Sequence, residues 1–300
     1  MSFIIDALEE GLVFSIVSMG VYITYKILDF PDLSVDGTYP LGAAITAVLL
    51  INGVNPWIAI IIATLGGAIS GAITGFLHVK LKISNVMSGI LVMIALYSVN
   101  LRIMGKSNIP LFTTKNIFKT INIKPILIIF LIVLICKIAI DMFLKTKIGF
   151  LLIAVGDNEQ LVSSLGINKN NIKVLGLMMS NALVSMAGAI QAQKYGYADV
   201  TMGQGVVVMG LATVVIGITI FGKLSFVKCT TLSIFGAIIY KAAIAIALKV
   251  NFNPNDLKLI TAIIVIVALA SNNGIFNIRS KKKEKDHGKY ADNEKRIKGI

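Results

Sequence analysis

The sequence has little charge: 14% of its 300 residues are Asp, Glu, Lys or Arg, against about 25% in soluble domains. Hydrophobic residues make up 56% of the chain, and long apolar stretches recur along its length. Several of them approach or exceed the roughly 20 residues that a helix needs to cross the hydrocarbon of a bilayer. The composition therefore excludes an ordinary soluble enzyme, and the recurrence excludes a single cleaved signal peptide.

Cysteine and histidine are scarce, with two residues of each. Cys136 and Cys229 lie in or beside apolar segments, so we expect reduced structural thiols and no disulfide framework. His78 and His287 cannot be combined with them into a metal-ligand cluster of the expected spacing. No pair of a nucleophile and a base is discernible. We therefore expect no metal site, no catalytic site and no cofactor bound by this chain.

One stretch comes close to a phosphate-binding loop. Residues 217–224 match the pattern up to the last position, where Leu224 stands in place of Ser or Thr. The stretch also ends an apolar segment instead of linking a strand to a helix. Nucleotide binding is not expected here, and any ATP hydrolysis would belong to another polypeptide.

The apolar pattern predicts an all-α fold, a polytopic transmembrane helix bundle with about nine spanning segments. We place this domain at 1–278 and a basic tail at 279–300, which holds nine of the 28 basic residues. The tail is expected to fix the topology at the cytoplasmic surface, with anionic lipid as the alternative partner and nucleic acid excluded. The predicted segments are 11–28, 38–52, 57–78, 86–104, 125–144, 172–194, 204–221, 227–249 and 258–275.

Charge bias predicts the orientation in a bacterial cell membrane. A cytoplasmic tail also places Lys80, Lys82 and the loop 145–173 inside, and it places the acidic N-terminus outside. The loop 105–124 would then lie outside although it carries four lysines, which argues against this orientation. The tail and the other loops together outweigh this one loop.

Three features predict close packing inside the bilayer. A stripe of small residues every fourth position allows two helix backbones to approach each other. Lys137 and Asp141 lie four residues apart, so they can neutralise each other on one helical face. Lys241, in mid-segment, must face the bundle interior, a partner or water. The small-residue stripe consists of Ala63, Gly67, Gly71 and Gly75.

An internal repeat links the two halves of the chain. At an offset of 167 residues, 16–35 aligns with 183–202 without a gap and with five identities. The offset spans five predicted segments, so the two copies would have opposite membrane orientations. Inverted repeats with matched short helices are typical of transport proteins.

Polar residues in and near the two repeats are the candidate translocation pathway. The alternative for each is an ordinary helix cap or interfacial loop. The first turn is expected toward the cytoplasm and the second toward the outside. The candidates are Asp32, Ser34, Asp36 and Gly37 in the first turn, Asp199, Thr201 and Gly203 in the second, and Asn181 in the sixth segment.

The inner loop 145–173 contains a signal for a short helix. Asp157 or Asn158 can cap it, Glu159 lies in its first turn and Gly166 can end it. A short capped helix in the cytosol is suited to docking in a groove of another protein. We predict a docking segment that includes Gly149, Gly156, Asp157, Asn158, Glu159, Leu165 and Gly166.

The stretches 154–158 and 165–168 resemble the coupling-helix segment of ABC importer permeases of the branched-chain amino acid and ribose type. The turn 28–37 looks like that family's first polar turn, and 196–203 looks like its tryptophan or tyrosine uptake branch. The resemblance implies a dimer of permeases, separate ATPase subunits that bind ATP and Mg, and an extracytoplasmic binding protein. Relatives carry alanines in mid-helix where this chain has residues 162–164, Val-Ser-Ser.

The leading hypothesis is thus the permease subunit of an ATP-driven importer for a small polar solute such as an amino acid, with tryptophan or tyrosine indicated. The alternative is an ion-coupled secondary transporter, because inverted repeats with broken helices occur in that class as well.

Overall fold

The computed structural model describes residues 2–120, 123–221, 228–249 and 257–272. The fold is all-α, as predicted, apart from two three-residue strands, and each of the nine predicted segments contains a described helix. The tail 279–300 lies outside the described residues. The helices are α1 (Ser2–Val21), α2 (Val35–Ile51), α3 (Pro56–Val79), α4 (Asn85–Met104), α5 (Ile117–Thr120), α6 (Pro125–Leu144), α7 (Lys147–Asp157), α8 (Glu159–Ser164), α9 (Lys169–Tyr195), α10 (Val206–Phe221), α11 (Cys229–Lys249) and α12 (Leu257–Asn272).

Length and composition suit these helices to a membrane. Among the described residues, five of them, α3, α4, α6, α9 and α11, are long and apolar enough to span a bilayer. Helices α2 and α10 are apolar but shorter. These two short helices occupy matching positions in the two halves, directly after α1 and α9.

The first predicted segment, 11–28, is wrong at its start, because α1 begins at Ser2. The hydropathy pattern places the start of this segment after the acidic residues Glu9 and Glu10. In the structure both carboxylates are paired with lysines, so the helix can include them. Glu9 lies 3.1 Å from Lys194, and Glu10 lies 3.5 Å from Lys241 and accepts a 3.0 Å hydrogen bond from the Tyr195 hydroxyl. Lys241 therefore faces a partner, as expected.

The other departures concern connections. After α1 the chain continues as a π-helical turn, Tyr22–Ile27, before the first polar turn. The inner loop contains two helices, α7 and α8, where one was predicted. Strands β1 (Asn108–Pro110) and β2 (Tyr197–Asp199) pair antiparallel. We call the end of the bundle that carries these strands the sheet end, and the opposite end the α8 end.

Helix α9 lies at the centre, packed against α1, α2 and α3. The small-residue stripe of α3 faces it. A Cβ atom added at Gly67 would lie 2.4 Å from the Asn181 carbonyl oxygen, and one at Gly71 would lie 2.3 Å from that of Leu177. At Ala63 the approach allows Ser185 to donate a 2.6 Å hydrogen bond to the backbone carbonyl. The two backbones thus pack at a distance that larger residues would prevent.

The inverted repeat extends beyond the aligned stretch. Gly71 of α3, in the first half, packs against the Cα of Met178 of α9, in the second half. The positions 167 residues away are Ile238 and Gly11, and there Gly11 of α1 packs against the Cα of Ile238 in α11. The same helix–helix contact therefore occurs twice, with the glycine on the opposite partner.

Adjacent glycines of α3 provide a test of this packing. We expect Gly67→Ala to lower the thermal stability of the purified protein, by about 1–3 kcal/mol of unfolding free energy, because the methyl group meets backbone atoms that cannot move aside. The matched control is Gly66→Ala, whose methyl group would meet only the end of the Ile45 side chain. The measurement is thermal unfolding in detergent; equal melting temperatures of the two variants would contradict close packing on α9.

Candidate functional site

Three of the predicted pathway residues form a closed hydrogen-bonded cluster. Asn181 donates to the Asp32 carboxylate at 2.7 Å, and the Ser34 hydroxyl donates to the Asn181 side-chain oxygen at 3.2 Å. The Ser34 backbone N–H donates to Asp32 at 2.9 Å. All three side chains are buried. The cluster ties the first polar turn to the middle of α9, and its groups hydrogen-bond one another instead of facing an open path.

Asp36 makes a different contact, with the second half of the chain. Its carboxylate accepts hydrogen bonds from the backbone N–H groups of Gly205 at 3.0 Å and Val207 at 2.7 Å. These groups lie at the N-terminus of α10, where backbone donors have no partner within the helix. The carboxylate also complements the positive end of the helix dipole. Asp36 therefore caps a helix that begins 170 residues later in the chain.

The two polar turns also touch each other at this junction. A Cβ atom added at Gly203 would lie 1.9 Å from the Asp36 carbonyl oxygen, and Gly203 is the residue 167 positions after Asp36. Equivalent points of the two halves touch, as they do near a pseudo-two-fold axis. The sequence does not reveal this contact, because 169 residues separate Asp36 from Gly205 along the chain.

The remaining turn residues lie at the sheet end or beside α4. Asp199 accepts hydrogen bonds from Thr201 and from Asn108 of β1. Partial burial acts to raise the pKa of Asp199, but these donors lower it overall. Gly37 packs against α4, where its carbonyl accepts a 3.1 Å hydrogen bond from Asn100.

A cavity of about 340 Å³ lies between α2, α4 and the turn that precedes α10. It was not predicted, because only one of its walls, at Asp36 and Gly37, had been singled out. The other wall is α4, where Ser98 and Asn100 are polar residues inside an apolar segment. Such residues mark functional positions in membrane helices, so this signal was present in the sequence. The lining includes Asp36, Met93, Tyr97, Ser98, Asn100 and Gln204.

The predicted docking segment is built from α7 and α8. Thr146 caps α7 by accepting a hydrogen bond from Gly149, which packs on the Phe143 carbonyl. Gly156 lies against the π-helical turn: an added Cβ would stand 1.7 Å from the Ile27 carbonyl oxygen. Asp157 is the last residue of α7. The segment is thus held directly against the start of the first polar turn.

Helix α8 is capped and anchored. Asn158 is the cap residue, and its side chain accepts from the N–H groups of Gln160 and Leu161. Glu159 forms ion pairs with Lys169 and Lys173 of α9. Hydrogen bonds from these two lysines lower the pKa of Glu159 below its ordinary value of 4.5, and the bond from Lys169 contributes most.

Two leucines are exposed at α8, beside the polar residues Gln160, Ser163 and Ser164. Leu161 is 55% exposed and Leu165, which directly follows the helix, is 65% exposed. They lie four residues apart and therefore on the same side. Gly166 follows with a φ of +73°, a left-handed conformation that favours glycine and ends the helix.

Asp141 of α6 is the centre of a cluster of charged groups. Lys137 and Asp141 form the predicted ion pair at 2.9 Å. Asp141 also lies 2.9 Å from Lys228 and accepts a hydrogen bond from Thr230. This cluster joins α6 to the start of α11.

Long apolar helices, two short helices at matching positions and a polar junction where the two halves touch indicate a multi-pass membrane transport protein. The chain belongs to the family described as the branched-chain amino acid transport system permease component, which matches residues 3–277. It is thus a protein of the cell membrane, from a permease family and not a catalytic one.

Curated relatives cover amino acid and sugar transport. The tyrosine transport system permease protein of Clostridioides difficile (strain R20291) is 52% identical over 94% of this chain and 95% of that one. The ribose import permease protein RbsC of Escherichia coli (strain K12) is 28% identical over 62% of this chain and 60% of that one. A probable branched-chain amino acid transport permease protein, LivH of Methanocaldococcus jannaschii, is 25% identical over 61% and 64%. No solved structure matches the chain with statistical significance.

The anchoring of α8 predicts a pH dependence. Because the pKa of Glu159 is lowered in the folded protein, its contribution is complete above the ordinary value of 4.5 and is lost as pH falls below it. A spin label at Ser163→Cys, with Cys136 and Cys229 replaced by Ala, should become more mobile in that acid range. In the Glu159→Gln variant the label should be mobile at every pH. A label at Thr113→Cys, at the sheet end, is the control, and identical pH profiles for Ser163→Cys with and without Glu159 would refute the anchoring role.

Proposed function

We propose that this chain is the membrane subunit of an ATP-driven importer, that two separate ATPase subunits dock on α8 of a permease dimer, and that an extracytoplasmic binding protein delivers the solute. ATP and Mg²⁺ bind to the ATPase subunits. The sheet end and the N-terminus face the outside, and the α8 end and the C-terminus face the cytoplasm.

The observation that carries this proposal is the construction of the docking segment. Two exposed leucines project from a helix that is capped at Asn158 and tied to α9 by Glu159. Exposed apolar side chains on a short helix fit a hydrophobic groove of a partner protein. Residues 162–164, Val-Ser-Ser, are compatible with docking. The Val162 side chain is buried, so it packs on the inner side of α8 and is not part of the exposed surface.

The same segment connects the partner to the transport path. Gly156 packs on the π-helical turn at Ile27, which leads into the first polar turn. That turn reaches α9 through Asp32 and α10 through Asp36. A displacement of α7 by a bound ATPase would therefore move backbone at the junction of the two halves.

The proposed solute is an amino acid with an aromatic side chain, tyrosine in the first place. This rests on the tyrosine transport permease that is 52% identical over nearly the whole length of both chains. An ion-coupled carrier has no use for an exposed apolar docking helix, which favours the ATP-driven class.

Leu161→Asp is the variant that tests docking. A carboxylate buried in an apolar groove costs several kcal/mol, so we expect the partner ATPase to be lost from the purified complex and ATP-dependent tyrosine uptake in proteoliposomes to cease. The matched control is Ser163→Asp, which puts the same charge at an exposed polar position of α8 and should retain both.

Uptake by the wild-type chain alone, driven by a sodium or proton gradient without ATP, would contradict the proposal. If the ATPase co-purifies with Leu161→Asp at the wild-type ratio, α8 is not part of the interface with the ATPase.

A further inference from the structure

The cavity between α2 and α4 contains a polar group that the fold itself does not use. Asn100 is fully buried and lines the cavity. Its amide nitrogen donates to the Gly37 carbonyl, which can only accept, so the assignment of the two amide atoms is fixed. The amide oxygen has no hydrogen-bond partner. A buried acceptor left unpaired in this way costs free energy unless a ligand or water satisfies it.

A second acceptor stands in the same cavity. Each carboxylate oxygen of Asp36 accepts one backbone N–H, and a carboxylate oxygen has a second lone pair available. The opposite wall offers the sulfur of Met93 and the ring of Tyr97. Thioether and aromatic groups make favourable contacts with an aromatic ring. Acceptors with a free lone pair, next to a thioether and an aromatic ring, suit a solute that carries an ammonium group and an aromatic ring.

The internal repeat supplies a comparison within the molecule. A second cavity, of about 320 Å³, lies between α10 and α12. The offset of 167 residues carries Gly37 onto Gln204 and Ile94 onto Thr261, and both of these line the second cavity. The two cavities therefore correspond at these two positions of the repeat.

The acceptors are not repeated. The positions equivalent to Asp36, Ser98 and Asn100 are Gly203, Val265 and Val267. The second cavity is lined by the polar residues Gln204 and Thr261, but its described lining contains no carboxylate and no asparagine. The unpaired, buried amide oxygen of Asn100 is therefore a feature of the first cavity and not of both.

The exposure of polar side chains on α4 is consistent with a path for the solute. Tyr97 is 49% exposed, and Ser98 is exposed beside it on α4. A helix face in contact with hydrocarbon carries apolar side chains, whereas polar ones face water or protein. The volume lies at the lower end of the roughly 300–1,000 Å³ of small-molecule sites, which fits one amino acid.

We propose that the α2–α4 cavity is a transit site for the imported amino acid, in which Asn100 and Asp36 accept its ammonium group and Met93 and Tyr97 contact its aromatic side chain. The inference rests on the proposed function and adds to it a site with a defined polarity in one half of the chain only.

The first test fills the cavity. In the complex with ATPase and binding protein, Ser98→Trp should lower ATP-dependent tyrosine uptake by about tenfold or more, because the indole occupies the space that the solute needs. Ala262→Trp fills the equivalent second cavity, and Val99→Trp adds the same side chain to α4 outside the cavity. Both controls should keep uptake within about twofold of wild type. Equal loss in Ser98→Trp and Ala262→Trp would overturn the assignment to one half.

The second test addresses the chemistry of recognition. In the same complex, with Cys136 and Cys229 replaced by Ala, Ser98→Cys should react with a charged thiol reagent, and L-tyrosine should slow that reaction. The analogue 3-(4-hydroxyphenyl)propionate, which lacks the ammonium group, should not. Val99→Cys should be modified at a rate that neither compound changes. Equal protection by both compounds, or none by L-tyrosine, would refute the site.

These outcomes separate the two proposals. If the wild-type complex takes up tyrosine only with ATP while Ser98→Cys is unprotected, the transit site fails and the proposed function stands. If the wild-type complex shows no ATP-dependent uptake of any amino acid, the proposed function fails, and the transit site fails with it.

Discussion

The hydrogen bonds from the backbone of Gly205 and Val207 to the Asp36 carboxylate are the interaction on which the rest of the structure depends. A helix that begins within the bundle exposes N–H groups that no water of the bilayer core can satisfy. One carboxylate from the other half of the chain satisfies two of them. It thereby joins α2 to α10 at the point where the two halves meet, beside Gly203.

Close backbone packing supports this junction on both sides. The small residues of α3 bring it against α9, and Gly11 brings α1 against α11 in the equivalent contact. These contacts hold the two halves against each other, because α1 and α3 belong to the first half and α9 and α11 to the second. The π-helical turn at Tyr22–Ile27 connects the junction to Gly156 and so to α8. A force applied at α8 has a continuous, closely packed route to the centre.

The sequence predicted most of the fold and part of the site. Hydropathy located nine of the twelve helices of the described residues, and the spacing of Ala63, Gly67, Gly71 and Gly75 indicated a packing face, because both signals are local. The sequence does not show contacts between distant parts of the chain. The start of α1 is predicted too late because the lysines that pair with Glu9 and Glu10 belong to α9 and α11. Asp32 and Asn181 were treated as separate pathway residues, although they hydrogen-bond each other. The α2–α4 cavity was missed for the same reason, because its walls are far apart in the chain.

Thermal unfolding of variants at Asp36 tests the junction most directly. Asp36→Asn retains one acceptor oxygen, whereas Asp36→Leu leaves the N–H groups of Gly205 and Val207 without a partner. The account predicts that Asp36→Leu loses about 2–6 kcal/mol of unfolding free energy, the cost of two unsatisfied buried donors, and that Asp36→Asn loses clearly less. An Asp36→Leu protein as stable as the wild type would contradict it.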